Sequence, residues 1–491
     1  MYYPDKQKFI ELSQNGNLIP VCREMLADFD TPLSVFIKVD RGEHSFLLES
    51  VVGGERLGRY SIIGTEPALV VELKAKRIKI TEDGKTDSRD IVGDPFSEIK
   101  KIMARYKPVA VQGLPRFSGG LIGYIGYDSV RFIEDIPDKN PEGIDMPDMK
   151  FVLADTILIF DHIDRKIKIV ANALLNGEPG EIYDRVLRKI DDMASRLRAP
   201  VTVPVSREIS GKASLVESNF SREAFMKVVE RAKEHIRRGD IIQMVPSQRL
   251  KRSTSADPFS IYRALRSINP SPYMYYLKFG DVRVIGSSPE ILVRAEEGIV
   301  EVRPIAGTRK RGKDPDDDIA LEKELLQDPK ERAEHIMLVD LGRNDIGRVC
   351  EYSSVQPREL MRIERYSHVM HIVSDVTGKL RPDKDIFDVI RATFPAGTVT
   401  GAPKVRAMEL IDEFENIKRG LYAGSVGYIG FSGNIDLCIA IRTIIIKDGV
   451  SYVQAGAGIV LDSEPEKEYE ETLNKAKGMM MAIDFAERGL E

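Results

Sequence analysis

The sequence predicts an α+β fold in which helices cover extended mixed sheets, and three observations carry that expectation. Apolar runs of strand length recur along the whole chain, at Ala68–Leu73, Phe151–Phe160, Lys166–Ala173, Val282–Gly286, Asp436–Ile446 and Val450–Gln454. Charge-rich segments of helical spacing lie among these runs, an order that suits helices packed on sheets and not a bundle. The 491 residues are 42% apolar and 30% charged, which allows a sizeable core. No window approaches the roughly 18 unbroken apolar residues of a membrane span.

Taken in order, the first part of the chain reads as a folding unit of its own, its strand runs closing with the charged helical segment Glu181–Leu197. Between Arg198 and Asn219 the stretch RAPVTVPVSREISGKASLVESN is rich in Ser, Pro and Val and lacks a helical period, which marks a boundary. The expected regions are therefore 1–205 and 220–491. Ser221 opens the second as a helix N-cap, with Glu223 in the first turn of a helix running to about Arg238. Further helices are expected at Asp257–Ser267, Asp317–Gln327, Glu331–Asp340, Asp385–Ala392 and Val405–Phe414. No short repeat or low-complexity tract interrupts this order.

A formal net charge of −5, with no basic stripe interleaved with aromatics, argues against a nucleic-acid partner; an anionic ligand would have to be held by local groups. The start, MYYPDKQKFIELSQNGN, has no cationic segment followed by an apolar run, so no secretory signal is expected and the cytoplasm is the expected location. Cys22, Cys350 and Cys438 are widely spaced and lack a CxxC partner, which points to buried thiols and not to a disulfide or zinc framework. Tryptophan is absent.

Several stretches could carry chemistry. PIAGTRKRG, Pro304–Gly312, sets Ala306 in a loop of turn residues and cations, and by itself reads as a turn with solvated Arg309, Lys310 and Arg311. GTVTGAPK, Gly397–Lys404, fails as a Walker loop, because Ala402 and Pro403 precede the lysine and no Ser or Thr follows it. What remains is a Gly and Thr loop entering a helix near Pro403, whose N–H groups suit an anion. In QAGAGIV, Gln454–Val460, small residues at a strand end let a ligand approach the main chain. Glu334, in DPKERAEHIMLVDLGRND, and Glu471, in EKEYEETLNKAK, read as solvated helix faces when taken singly. Two carboxylates from distant helices would nevertheless suit a hard cation such as magnesium. His371, in SHVMHIV, reads also as a core histidine, and Arg442, after LCIAI, as the partner of either a ligand carboxylate or a protein acid.

Together, the ordered blocks IIQMVPSQR, NPSPYMYYL, GSSPEILVR, RPIAGTRKRG, ERAEHIMLVDLGRND, SHVMHIVSDVTG, FPAGTVTGAPK, LYAGSVGY, CIAIRT and VQAGAGIVLDSEPEKEYEET resemble the chorismate-utilising enzymes. They extend over roughly Ser221 to Ala486, and the resemblance is strongest to the large subunits of anthranilate synthases. It implies a chorismate-utilising enzyme fold, with extended mixed or antiparallel sheets covered by helices and a smaller regulatory part contributed by the N-terminal half. In this family the third residue of PI-x-GT separates activities: aminodeoxychorismate synthases commonly carry lysine there and anthranilate synthases alanine, the residue found at Ala306. Gln243 stands where isochorismate-forming relatives have a lysine that activates water, and glutamine is a poor base. The pair implies amination of chorismate at C2 to 2-amino-2-deoxyisochorismate and loss of pyruvate to give anthranilate. Another enzyme of the family, or a non-catalytic tryptophan sensor, is the alternative.

The resemblance also implies roles. Glu334 and Glu471 are the expected Mg²⁺ ligands, and Gly307, Thr308, Thr398, Tyr422, Arg442 and the Gly456-Ala457-Gly458 backbone are expected to hold chorismate. Glu290, in SSPEILVR, is the expected general acid for the departing C4 hydroxyl, and His371 is assigned to the elimination. Ammonia is expected from a glutamine amidotransferase subunit, since none of the three cysteines sits at the sharp glycine-flanked turn such a nucleophile needs. LLES, Leu47–Ser50, with Ser61 and the PYM of NPSPYM, resembles the family's feedback site for L-tryptophan. Leu48, Glu49, Ser50, Ser61, Pro272, Tyr273 and Met274 are its expected residues.

Overall fold

A computed structural model describes residues 1–51, 58–202, 215–366 and 369–490. Most of the expected boundary between 205 and 220 lies outside the described residues, as does the start of the SHVMHIV block. Two large sheets, paired antiparallel throughout, dominate the described chain, and each draws strands from both halves of the sequence. In the first, His44–Glu49 lies beside Tyr273–Phe279, with Met274 opposite Glu49. In the second, Gly120–Ile125 lies beside Ser425–Gly430. Among the described residues no helix is long and apolar enough to cross a membrane.

The continuous apolar runs arise because both faces of these strands are buried. In Thr156–Asp161, Ile157 and Ile159 enter the core shared by the two sheets, while Leu158 and Phe160 face the core under the helices. Tyr273–Phe279 alternates in the same way: Tyr275, Leu277 and Phe279 point between the sheets, and Met274 and Tyr276 point to the helix side. The result is two sheets packed face to face, with helices on the outer faces. Pro179–Leu197, Pro258–Ile268 and Pro465–Glu487 cover the first sheet. Pro95–Met103, Pro329–Gly347 and Ile386–Thr393 cover the second.

Two expected strands are each a pair. The run 151–160 divides at Asp155 into Met149–Ala154 of the second sheet and Thr156–Asp161 of the first. The run 436–446 divides into Ile435–Ile439 of the second sheet and Thr443–Lys447 of the first. Apolar residues on both sides of a crossing conceal it from a hydropathy pattern. The expected helices are present, and Ser221 caps Arg222–Arg237 by accepting from the Ala224 N–H at 3.2 Å.

Candidate active site

A cavity of about 890 Å³ opens where both sheets meet the helices Pro329–Gly347 and Pro465–Glu487. Every residue on its wall comes from position 243 onward. The structure brings Glu290, Gly307, Thr308, Glu334, His371, Thr398, Tyr422, Arg442, Gly456, Gly458 and Glu471 to that wall, together with Ala306 and Gln243. Ala457 is not on it. Its methyl is buried in the apolar cluster around Phe225, Met244 and Ile459, and its N–H donates to the Pro246 carbonyl.

The PIAGT segment is an edge strand, Ile305–Lys310, paired with Val369–Lys379. The register breaks between Ala306 and Thr308, where Gly307 adopts φ +68°. A Cβ there would press on Leu325, Glu331 and Ile372 at 3.1 to 3.3 Å, so both the backbone and the space call for glycine. The bulge aims the Gly307 carbonyl at the His371 ring, with Nδ1 3.0 Å away and Thr308 Oγ1 at the same distance. A carbonyl only accepts, so Nδ1 carries the proton in that bond and the neutral ring keeps its free lone pair on Nε2. Burial favours this neutral form by lowering the pKa of His371.

Glu290 lies between two strands that belong to different sheets, Val282–Ser288 and Ile291–Glu296. The Ser288 hydroxyl donates to the Ile439 carbonyl at 2.6 Å, and the Ile439 N–H donates to the Glu290 carbonyl at 3.0 Å. These bonds fix the turn that presents the carboxyl. Burial pushes the Glu290 pKa up to about 8, against smaller downward pulls from the Thr398 hydroxyl, the Lys475 ammonium and the Ile305 N–H. A carboxylic acid that keeps its proton near neutral pH is equipped to give it away. Arg442 stands at the second sheet crossing with φ +51°; burial lowers its pKa, while Tyr422 and Glu471 pull it back up. Tyr422 is itself pushed up to about 12 by burial and remains a neutral hydrogen-bonding group. At Gly456 a Cβ would meet the Pro246 carbonyl at 2.7 Å and the Tyr422 hydroxyl at 2.8 Å, and at Gly458 it would meet Gln243 Nε2 at 2.8 Å. The backbone contact sets Gly456 as glycine, whereas at Gly458 the contact is with the end of the Gln243 side chain.

Acidic groups converge on one side of the cavity. Gln243 Nε2 donates to Glu334 Oε1 at 3.0 Å. Burial raises the Glu334 pKa, with Glu331 adding to the rise, and burial raises that of Glu468, with Glu471 adding. Among the described residues no three His, Cys, Asp or Glu side chains are spaced to enclose a metal. Magnesium needs no such cage, since it keeps waters and takes one or two carboxylates plus substrate oxygens. Burial disfavours the charged forms of Glu334 and Glu468 on this wall, and a divalent cation beside them would relieve that cost, so the donor chemistry fits the ion. Motif reading missed Glu468, Glu331 and Lys475. Lys475 follows Glu471 by one helical turn, pairs with it at 2.6 Å and donates to the Gly456 carbonyl at 3.1 Å. Only the i, i+4 spacing could have signalled it.

A second cavity, of about 300 Å³, lies against the paired strands His44–Glu49 and Tyr273–Phe279. Leu48, Glu49, Ser50, Pro272, Tyr273 and Met274 border it, and so do Arg59, Arg116, Arg294 and Asp436, which the motifs did not suggest. The Tyr273 hydroxyl donates to Asp436 at 2.8 Å, and Arg294 reaches both. Two side chains from LLES and PYM turn away. Glu49 is taken by Tyr262 at 2.5 Å and by Arg266, and Met274 packs in the helix-side core. Ser61 is fully buried off the wall, with its hydroxyl 2.8 Å from His162 Nε2.

Comparison with known proteins agrees with this architecture. Residues 44–481 match the family described as chorismate binding enzyme. The chain is 50% identical to the anthranilate synthase component 1 of Acetivibrio thermocellus over 491 residues, covering 99% of each protein. It is 52% identical to that of Aquifex aeolicus, covering 98% of each. The crystal structure of anthranilate synthase component I from Streptococcus pneumoniae TIGR4 superposes with a TM-score of 0.76 at 38% identity, covering 93% of this chain and 98% of that one. The menaquinone-specific isochorismate synthase of Escherichia coli, at 18% identity and a TM-score of 0.68 over 97% of this chain and 98% of its own, shares the fold. The chain belongs to the chorismate binding enzyme family.

Proposed function

We propose that this chain is the chorismate-aminating subunit of an anthranilate synthase in the cytoplasm. It converts chorismate and ammonia to 2-amino-2-deoxyisochorismate and water, and then to anthranilate and pyruvate. The observation that carries the reading is identity of half the sequence, over its full length, to proteins named for that activity. Ala306 and Gln243 on the cavity wall support it, because neither can act as an amine nucleophile or a strong base toward the ring. Glu290 gives its proton to the leaving C4 hydroxyl. Arg442, Tyr422, Thr398, Gly307, Thr308 and the backbone about Gly456 and Gly458 hold the substrate's carboxylates and ring oxygens. His371 Nε2 then accepts the C2 proton as pyruvate departs. Mg²⁺ held by Glu334 and Glu471 would supply positive charge to the ring carboxylate within this acidic wall.

The nitrogen donor in this reading is a separate glutamine amidotransferase subunit. All three thiols are buried and held in the neutral form, Cys350 with its pKa pushed up to about 11, so none is a ready nucleophile. We assign the region 220–491 to catalysis, supported by the origin of every residue lining the large cavity, and the region 1–205 to feedback regulation by L-tryptophan at the second cavity. The purified chain should form fluorescent anthranilate from chorismate, Mg²⁺ and an ammonium salt, and should form none when glutamine replaces ammonium. Glutamine-dependent turnover by the chain alone, or a hydroxylated product in place of anthranilate, would overturn the reading.

A further inference from the structure

The helix Pro329–Gly347 carries Glu334 to the large cavity; Arg309 ties its start to the strand Ile305–Lys310 by pairing with Asp328 at 2.8 Å and Glu331 at 3.2 Å, but few side chains of its first half are buried. Between Pro329 and Met337 the one buried side chain is His335, which is fully inaccessible. Its Nε2 lies 2.6 Å from the hydroxyl of Ser374, also fully buried, on the strand Val369–Lys379 that bears His371 three residues earlier. The same hydroxyl accepts the Met361 N–H at 2.9 Å. Met361 sits at φ +56° within the irregular step between Glu359 and Arg362, where the neighbouring ladder leaves its N–H without a strand partner. The Ser374 N–H reaches the Pro304 carbonyl at the entry to PIAGT. Two bonds at Ser374, one from its side chain and one from its N–H, thus join the Glu334 helix, the His371 strand and the start of the Ala306 segment.

We propose that His335 is a positioning residue, whose bond to Ser374 sets the rotation of this helix and with it the placement of Glu334 against His371. Successive helix residues point about 100° apart, so His335 turns to the sheet while Glu334 turns to the cavity and Gln243. The side-chain envelope of a helix has a radius of about 5–6 Å. A rotation of about 10° therefore carries the Glu334 carboxylate about 1 Å, and a displacement of that size can cost about 100-fold in rate.

The inference rests on the proposed Mg²⁺ role of Glu334 for its catalytic consequence, but its structural half can be measured without metal. His335→Leu removes the bond and keeps the bulk, whereas His335→Gln offers an amide N–H at the reach of imidazole Nε2. In the full chain, metal-free amide exchange across residues 331–338 should quicken about 10-fold in the Leu variant. The MgCl₂ concentration for half-maximal anthranilate formation should rise about 10-fold or more. The Gln variant should restore both, and melting temperatures should stay within a few degrees. Unchanged exchange and MgCl₂ dependence in the Leu variant, or a Gln variant as impaired as Leu, would overturn the proposal. If the Leu variant does not fold, Ser374→Ala supplies the same comparison from the other side of the bond. Because the exchange arm contains no metal, it decides the role of His335 even if Glu334→Gln were to disprove the metal assignment.

Discussion

Replacing Glu290 with glutamine should change stability and activity in opposite directions. In the folded chain the carboxyl holds its proton to a pH of about 8, and the unshifted group holds it only to 4.5. Between those values the folded state binds one more proton than the unfolded state, so the wild type loses stability as pH rises through this window. The contribution is fully present below 4.5 and gone above about 8. A glutamine amide has the shape of the neutral acid and no titration, so Glu290→Gln removes the slope. The variant should gain on the wild type by up to about 1.4 kcal/mol per pH unit, or about 3 kcal/mol between pH values of about 5.5 and 7.5. Anthranilate formation should fall by about 10²–10⁴, the usual worth of a positioned general acid. Thermal unfolding of both chains at matched ionic strength reads the first quantity. Initial rates at fixed free NH₃ read the second, so that the rise of ammonia with pH does not mask the loss of the acid. Parallel stability profiles would show that Glu290 does not titrate near 8, and near-normal turnover would remove it from the reaction.

Other expectations follow from the same geometry. Glu334→Gln and Glu471→Gln should each abolish Mg²⁺-dependent anthranilate formation while leaving the far-ultraviolet circular dichroism intact; an unchanged MgCl₂ titration in either would refute the assignment. Gly307→Ala should destabilise the chain by about 1–2 kcal/mol, since alanine is strained in the left-handed region, and should raise the KM for chorismate; wild-type values would show that the bulge does not position His371. Because the sequence holds no tryptophan, indole emission in a mixture comes from added ligand. L-tryptophan should shift to the blue on binding and inhibit the wild type, whereas Ser50→Phe, on the wall of the second cavity, should keep turnover and ignore tryptophan. Full inhibition of that variant would refute the site.

What the sequence by itself determined is local in origin. The two-sided apolar runs dictated buried strands, and Ser221 dictated the start of its helix, because strand burial and capping involve residues within a few positions of one another. The motif order identified the family, and eleven of the twelve residues it singled out for the active site lie on the wall of the large cavity, while Glu331, Glu468 and Lys475 went unnoticed. The tertiary structure decided what depends on distant contacts. The chain changes sheets at Asp155 and between Ile439 and Thr443, where apolar residues on both sides hide the break from any hydropathy pattern. Gln243 meets Glu334 across 91 positions, and His335 meets Ser374 across 39. The same distant packing turned Met274 to the helix side, gave Ser61 to His162, and raised the Glu290 pKa. A short stretch of sequence specifies which groups are present. Only the packing of two sheets and their helices sets which way each side chain faces and how much water it loses, and those two quantities fix its chemistry.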